Sequence, residues 1–467
     1  MKLIKILTAI SIVLFSFTAC SDSFLEEFPV NSTLTEDAIK NKTDLATAVN
    51  GVYGRMIYFT ANTDVLTVNE LLADHAFVGI DNSNRFTSTD NWKLFLTPDN
   101  AYIRDIWRAP YFFIDQCNTI LATESTIVSD EDTENWYAQT RAIRAYYYLI
   151  LLSYFSPNYG EGNDEYGVPM PETTDVWGQL PRKTVTEGYN FVLNELLTAY
   201  NVFDKINKPN ETNKIGKSAV ELLLARTYLF MKDYPNAEIY AQKVLDEGNL
   251  LEKTQVASYF PQNLLAYKET LFAIQVTGAH FPGQNDVLSA TWSSLGTYKQ
   301  NWMVKSFYDS FAATDVRKGT WYQDNAYVQG LQDNPKPIDV RKYNTYLNSI
   351  MQLRRTEAIF IEAEALYHTN QSAAGTTLED WVKTYRDSNY KLAVSSGEPL
   401  LNEILNQKAF EFFLEGQRLL DLKRNHLPVV NPQTQTNISG NDGKFVWPIP
   451  RGELNANKNI IQYPEYK

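Results

Sequence analysis

LNEILNQKAFEFFLEGQRLLDLKR, residues 401–424, is the stretch whose reading decides the fold. Leu401, Leu405, Ala409, Phe412, Gly416 and Leu419 or Leu420 recur every three to four positions, the period of a helix with one buried stripe. Lys408, Glu411, Glu415, Arg418, Asp421, Lys423 and Arg424 occupy the other flanks, with Lys408/Glu411, Glu415/Arg418 and Arg418/Asp421 spaced as helix neighbours. Charge in this pattern is read as an ion-paired helix flank, not as a set of catalytic acids. The expectation is a helix running from 403 to 424.

Outward from this stretch, helical periodicity dominates. Residues 353–367, LRRTEAIFIEAEALY, predict another helix, and residues 215–247 hold the clearest repeat. There Leu224, Ala225 and Tyr228 lie on one helix, Lys232-Asp233-Tyr234-Pro235 forms a turn, and Ala237, Ala241, Val244 and Leu245 lie on the next. The small alanines let two antiparallel helices approach closely, and the spacing fits a tetratricopeptide unit of about 34 residues. Earlier helices are predicted over 101–121, over 131–155 with Ser129 as cap and Asp132 three residues on, and from a Thr184/Glu187 capping box through Phe203. The 141–155 segment, RAIRAYYYLILLSYF, is apolar on nearly all sides after Ala145 and should be central and buried. Gly216-Lys217-Ser218 is no phosphate loop, because Glu211 stands where the first glycine is needed and no strand precedes it.

Two regions break the helical pattern. Residues 80–100 form a loop dense in Asp, Asn, Ser and Thr that carries Arg85, Phe86, Trp92 and Phe95. Residues 269–346 open with a strand-like TLFAIQV and continue as a Gly-, Ser-, Asn- and Asp-rich stretch punctuated by Trp292, Tyr298, Trp302, Trp321, Tyr322 and Tyr327. The fold class read from this pattern is mainly α, with tetratricopeptide-like helical hairpins forming a scaffold, long loop-rich insertions and a few short strands.

At the amino end, Lys2 and Lys5, an apolar run over 6–17 and Thr18-Ala19-Cys20 read as a secretory signal. The run is too short to span a bilayer, which takes roughly 20 residues. Cys20 follows the exit directly and resembles the acylated cysteine of a bacterial lipobox, although Phe17 is unusual there, so Cys20 is read as the lipidation site. The domain reading is a signal over 1–19, a lipidated cysteine and tether over 20–30, and one domain over 31–467, with Thr35, Glu36 and Asp37 capping its first helix. Cys117 is then the sole remaining cysteine, which excludes an internal disulfide, and it reads as a small buried apolar residue. His75, His280, His368 and His426 are scattered with no metal-ligand spacing, so no metal or other cofactor is expected. The net charge is −13, or −15 without Lys2 and Lys5, which disfavours nucleic acid and anionic lipid as partners.

Residues 415–424, EGQRLLDLKR, resemble the "EG.R..DL.R" helix of the SusD/RagB family, surface lipoproteins that work beside TonB-dependent outer-membrane transporters. The rest of the chain supports the resemblance in order: FLEEFP at 24–29, LATAVNGVY at 45–53, the 141–155 helix with Val168-Pro169 as its exit, Asp315-Val316-Arg317, the 353–367 helix and FVWPIPRGEL at 445–454. The insertion SPNYGEGNDEYG at 156–167 is longer than the family's link, and the last residues depart from its "QNpgY" ending. The resemblance implies a helical scaffold whose binding site lies on inserted loops, and a transporter over which the protein sits as a hinged lid.

An aromatic face offers a flat apolar surface to a sugar ring while neighbouring polar groups bond its hydroxyls. Singly, a tryptophan is more often a packing residue, but clusters in two polar loops point to a ligand platform. From loop composition and the family's use of these regions, Asp74 and Arg85 are expected as hydrogen-bonding groups and Trp92, Trp292 and Trp321 as stacking faces. The function read here is capture of a glycan, an oligosaccharide, at the outer-membrane surface and its delivery to a SusC-like TonB-dependent transporter. Peptide or another non-sugar nutrient is the alternative, and a tetratricopeptide-type protein-interaction scaffold is the alternative of another class. No pair of carboxylates and no nucleophile motif marks an enzyme.

Overall fold

The computed structural model describes residues 38–59, 61–174, 178–206, 208–324 and 338–467. The signal, Cys20, the 20–30 tether, Thr35 and Tyr327 fall outside them. Asn41–Lys467 is one compact unit; of the other, Met1–Lys40, residues 38–40 are described.

The longer helices are α1 (Lys42–Met56), α2 (Ala61–Leu72), α3 (Ala101–Leu121), α4 (Glu131–Phe155), α5 (Val185–Ile206), α6 (Lys217–Phe230), α7 (Tyr234–Asp246), α8 (Thr356–Thr369), α9 (Gln371–Tyr385), α10 (Gly397–Glu411) and α11 (Arg418–Arg424). Helix α1 is capped by Asn41, whose side chain accepts from the Thr43 and Asp44 amides. Helix α4 is capped by Asp130 in a box with Thr133, not by Ser129, because Asp130 stands one residue before the first helical turn. Thr184 and Glu187 do form the reciprocal box expected for α5, with Glu187 N to Thr184 Oγ1 at 3.0 Å and Thr184 N to Glu187 Oε2 at 2.8 Å.

Helices α3 to α7 pack each on the next, and α8 closes the row against α7, α6 and α9. The α6–α7 hairpin turns at Lys232 in a left-handed conformation, and Ala237 and Ala241 are fully buried where the helices meet. Central α4 is buried along nearly its whole second half, as its uninterrupted apolar sequence requires. Among the described residues no helix is long and apolar enough to cross a membrane.

Among the described residues, eight short strands complete the fold. β1 (Ala76–Val78), β3 (Asn301–Met303), β5 (Ile338–Val340) and β4 (Tyr322–Asp324) form an antiparallel sheet in that spatial order, with Phe77 opposite Trp302 and Tyr322 opposite Val340. β2 (Thr270–Ile274) pairs with β6 (Ile350–Arg354), and β7 (Val429–Asn431) with β8 (Thr436–Ile438). Leu353 and Arg354 thus belong to a strand and α8 starts only at Thr356, because the fully buried β2 pairs with 350–354 in a backbone ladder. The 156–167 insertion is held by Asn158, which donates to the Lys423 carbonyl at 3.0 Å, and by Glu161, 2.9 Å from His426.

The 401–424 stretch is two helices, not one. Phe412 to Gln417 separate α10 from α11, with Leu414 at φ +64° and Gly416 at φ +73°. The positive φ asks for glycine at 416, and a Cβ there would press on the Leu66 methyl Cδ2 at 2.8 Å, which would have to shift. The flank charges are ion-paired as read, but across the fold and in the interior, where local i, i+3 pairing was expected. Glu411, fully buried, receives Arg386 at 2.7 and 2.8 Å, Arg354 at 2.8 Å and Arg317 at 3.3 Å. Glu415 receives Lys342 at 2.6 Å and Arg354 at 2.7 Å, while Lys408 meets Asp421 at 2.8 Å. Burial works against the Glu411 carboxylate, but Arg386 and Arg354 hold it well below the usual range, so it stays ionised. Glu411 and Glu415, on either side of the break, both bond Arg354.

Candidate functional site

The two loop regions meet at Arg85. The turn that carries it is clamped by the buried Gln300, which accepts from Ser83 N at 3.1 Å and Ser83 Oγ at 2.6 Å and donates to the Arg85 carbonyl at 2.7 Å. Asn82 turns the chain by accepting from Asn84 N at 2.9 Å. Within it Asn84, Phe86 and Ser88 have φ of +61°, +56° and +66°. A left-handed Phe is costly, and such strain persists only where surroundings over-determine it. Here Phe86 is buried and stacks on Tyr102 of α3 with centroids 4.3 Å apart.

The Arg85 guanidinium crosses to the second region. It donates to the Asn285 carbonyl at 3.0 Å and to Tyr298 Oη at 3.1 Å, lies 4.4 Å from the Tyr298 ring centroid and 3.7 Å from Asp286. Around it is a surface cleft of about 310 Å³ whose walls include Asp64 and Thr67 of α2, Phe86, Tyr102, Asp105 and Asp286. Burial pushes the Tyr102 phenol upward, so it remains a neutral donor. An aromatic wall, carboxylates as acceptors and one guanidinium as donor make a cleft suited to a neutral, hydroxyl-rich ligand, and the carboxylates oppose an anionic one.

The other expected site residues lie elsewhere, and the tryptophan expectation is corrected. Trp92 is 2% exposed, donates its indole N–H to the Leu72 carbonyl at 3.2 Å and packs edge-on to Phe445. Trp292 is fully buried, donates to Thr67 Oγ1 at 3.1 Å and packs against Phe413. Trp321 is 1% exposed, donates to the Val256 carbonyl at 2.8 Å and lies beside Lys342 and Arg386 of the ion network. None presents a face to a ligand. Their rings are covered by other parts of the fold, Phe445 beside Trp92, Phe413 beside Trp292 and Phe260 beside Trp321. Trp92 and Trp292 nevertheless anchor α2, which carries the cleft wall.

Asp74 is likewise structural. Both its oxygens are taken by Arg418, at 2.8 and 2.6 Å, with His75 at 3.4 Å. Burial penalises its charge, but the Arg418 guanidinium lowers its pKa overall, and burial holds neighbouring His75 neutral, down to about 3. Of the expected set, only Arg85 lines the cleft. Tyr102, Asp64 and Asp286 were not singled out from sequence: Tyr102 reads as a helix residue, and nothing local marks which loop acids converge.

Comparison with known proteins agrees with the fold. A SusD-like family model described as "Starch-binding associating with outer membrane" matches residues 23–229, and the SusD family model matches residues 154–466. A SusD-like protein of Bacteroides ovatus is 22% identical over 345 residues, 71% of this chain; the chain spans only 57% of that relative's length. A SusD superfamily protein of Bacteroides vulgatus superposes with a TM-score of 0.81 at 21% identity, covering 92% of this chain and all of the other. Surface glycan-binding protein A of Bacteroides thetaiotaomicron gives 0.71 at 17% identity, covering 91% of this chain and 99% of the other. The helical hairpins, the order of motifs and a family model spanning most of the chain lead to one conclusion: the chain belongs to the SusD/RagB family.

Proposed function

We propose that this protein is a cell-surface lipoprotein, anchored through Cys20 in the outer membrane, that captures an oligosaccharide in the Arg85 cleft and delivers it to a partner TonB-dependent transporter. It binds its ligand without transforming it. The observation that carries the reading is the cleft itself, where Tyr102 and Phe86 meet Arg85 and three carboxylates at the junction of two loop regions. The glycan-binding description of SusD-like proteins of similar fold supports a sugar over a peptide. The tether over 20–30 would hold the lid at high local concentration above the pore.

Affinity electrophoresis of the wild type and Arg85→Ala in gels containing neutral polysaccharides tests this. A charged hydrogen-bond donor contributes about 1.5–3 kcal/mol, so the variant should bind roughly 10- to 150-fold more weakly. Equal retardation of both proteins would remove the cleft from the binding role. Binding of peptides and of no glycan would shift the ligand class.

A further inference from the structure

Among the described residues, one group of aromatic side chains comes together at the surface. The β2–β6 ladder ends at Ile274 opposite Ile350, and Ser349 Oγ accepts the next amide, Val276 N, at 3.1 Å. Beyond it the two chain segments run out as neighbouring turns. In one, Thr277 and His280 exchange backbone hydrogen bonds at 2.9 and 3.1 Å. In the other, Asn348 accepts from Thr345 N at 2.8 Å and donates to the Phe260 carbonyl at 2.8 Å. These turns carry Phe281 and Tyr346, whose ring centroids are 6.0 Å apart, with Tyr346 45% and the adjoining Leu347 42% exposed. Tyr58, at the end of α1 and 50% exposed, joins them through its hydroxyl, 3.3 Å from His280 Nδ1.

A cluster of rings held by ordered turns, Tyr58 and Tyr346 exposed and Phe281 partly covered, has a different standing from a single exposed leucine. Its chemistry is amphipathic: ring faces with phenol and imidazole at their edges, which suits the C–H face and hydroxyls of a sugar better than an aliphatic partner. Its position is tied to the cleft by the chain. Phe281 is four residues from Asn285, whose carbonyl accepts from Arg85, so the two Cα atoms are at most about 14 Å apart. Within that path Gly283, at φ +117°, opens a turn in which its carbonyl accepts from Asp286 N at 3.3 Å.

We infer that Tyr58, Phe281 and Tyr346 form a second sugar-binding subsite, a ledge that engages the next rings of a neutral glycan whose first rings occupy the Arg85 cleft. This rests on the cleft reading above. The protein would then discriminate by chain length: the cleft alone takes a short oligosaccharide, and cleft and ledge together hold a longer one, because the second contact is made by a ligand already tethered.

The test uses the full-length protein and soluble starch, xyloglucan, arabinoxylan and galactomannan as probes in affinity gels, followed by calorimetry with an oligosaccharide length series of whichever is retarded. The variants are Phe281→Ala/Tyr346→Ala for the ledge and Arg85→Ala for the cleft. Losing the ledge should weaken the longest oligosaccharide about 5-fold or more and leave the shortest binder unchanged, whereas Arg85→Ala should weaken both. A ledge variant that binds every length as the wild type does overturns the subsite and leaves the cleft standing. A wild type that binds long chains no better than short ones does the same. Unchanged binding by Arg85→Ala, or no retardation of the wild type by any probe, overturns both.

Discussion

Replacing Glu411 by Gln removes one charge and almost no volume from a carboxylate that pairs with three arginines. Its two oxygens meet Arg386 twice, Arg354 and Arg317, all at 3.3 Å or less and all fully buried. Around it Glu269, Asp315 and Glu415 balance Arg317, Lys342, Arg354 and Arg386 only when Glu411 is ionised. The glutamine amide would turn a donor toward guanidinium donors and leave one positive charge uncompensated. Breaking a buried pair in this way costs about 3–5 kcal/mol. The exposed pair Lys305–Asp309, with Asp309 about half exposed, is the control: Asp309→Asn should cost about 0–1 kcal/mol. Equilibrium urea unfolding followed by tryptophan fluorescence and far-UV circular dichroism measures both. Combining Glu411→Gln with Arg386→Leu should be less harmful than the sum of the two single losses by about 1 kcal/mol or more, because the second change removes a charge the first stranded. A loss under about 1 kcal/mol for Glu411→Gln, or strict additivity in the double variant, would refute the account of the network.

Two further outcomes follow from the interior. Glu70 is buried with one oxygen accepting from Leu414 N at 2.8 Å and the other without a hydrogen-bond partner among the described residues; burial raises its pKa to about 8, against an ordinary value of 4.5. The folded state keeps a proton that the unfolded chain releases above 4.5, so this stabilisation is full below that pH and is lost as pH rises to about 8, at about 1.4 kcal/mol per unit. Glu70→Gln should flatten the dependence of the urea midpoint on pH between 5 and 8, and parallel curves would contradict it. Trp321→Ala should cost about 3–5 kcal/mol in stability while the folded fraction binds glycan as the wild type does; selective loss of binding at unchanged stability would return Trp321 to the ligand.

The sequence by itself determined the helical scaffold. Ala101–Leu121 and the α6–α7 hairpin lie where local periodicity puts them, since 3.6-residue patterning and capping boxes act within a few turns of chain. It also identified the family and the loop that holds Arg85. Only the tertiary structure decided three other matters. It divided 401–424 in two, with Leu414 and Gly416 in the left-handed region and the Leu414 amide given to Glu70, 344 residues away in sequence, instead of to its own helix. It turned the charged flank into a buried network, because the partners of Glu411 come from residues 317, 354 and 386, which no local spacing relates. And it moved the three tryptophans inside while bringing Tyr102, Asp64 and Asp286 to Arg85. An open polar loop and one whose rings are covered have the same composition, and which ring is covered depends on the chain that returns over it: Phe445 on Trp92, Phe413 on Trp292 and Phe260 on Trp321.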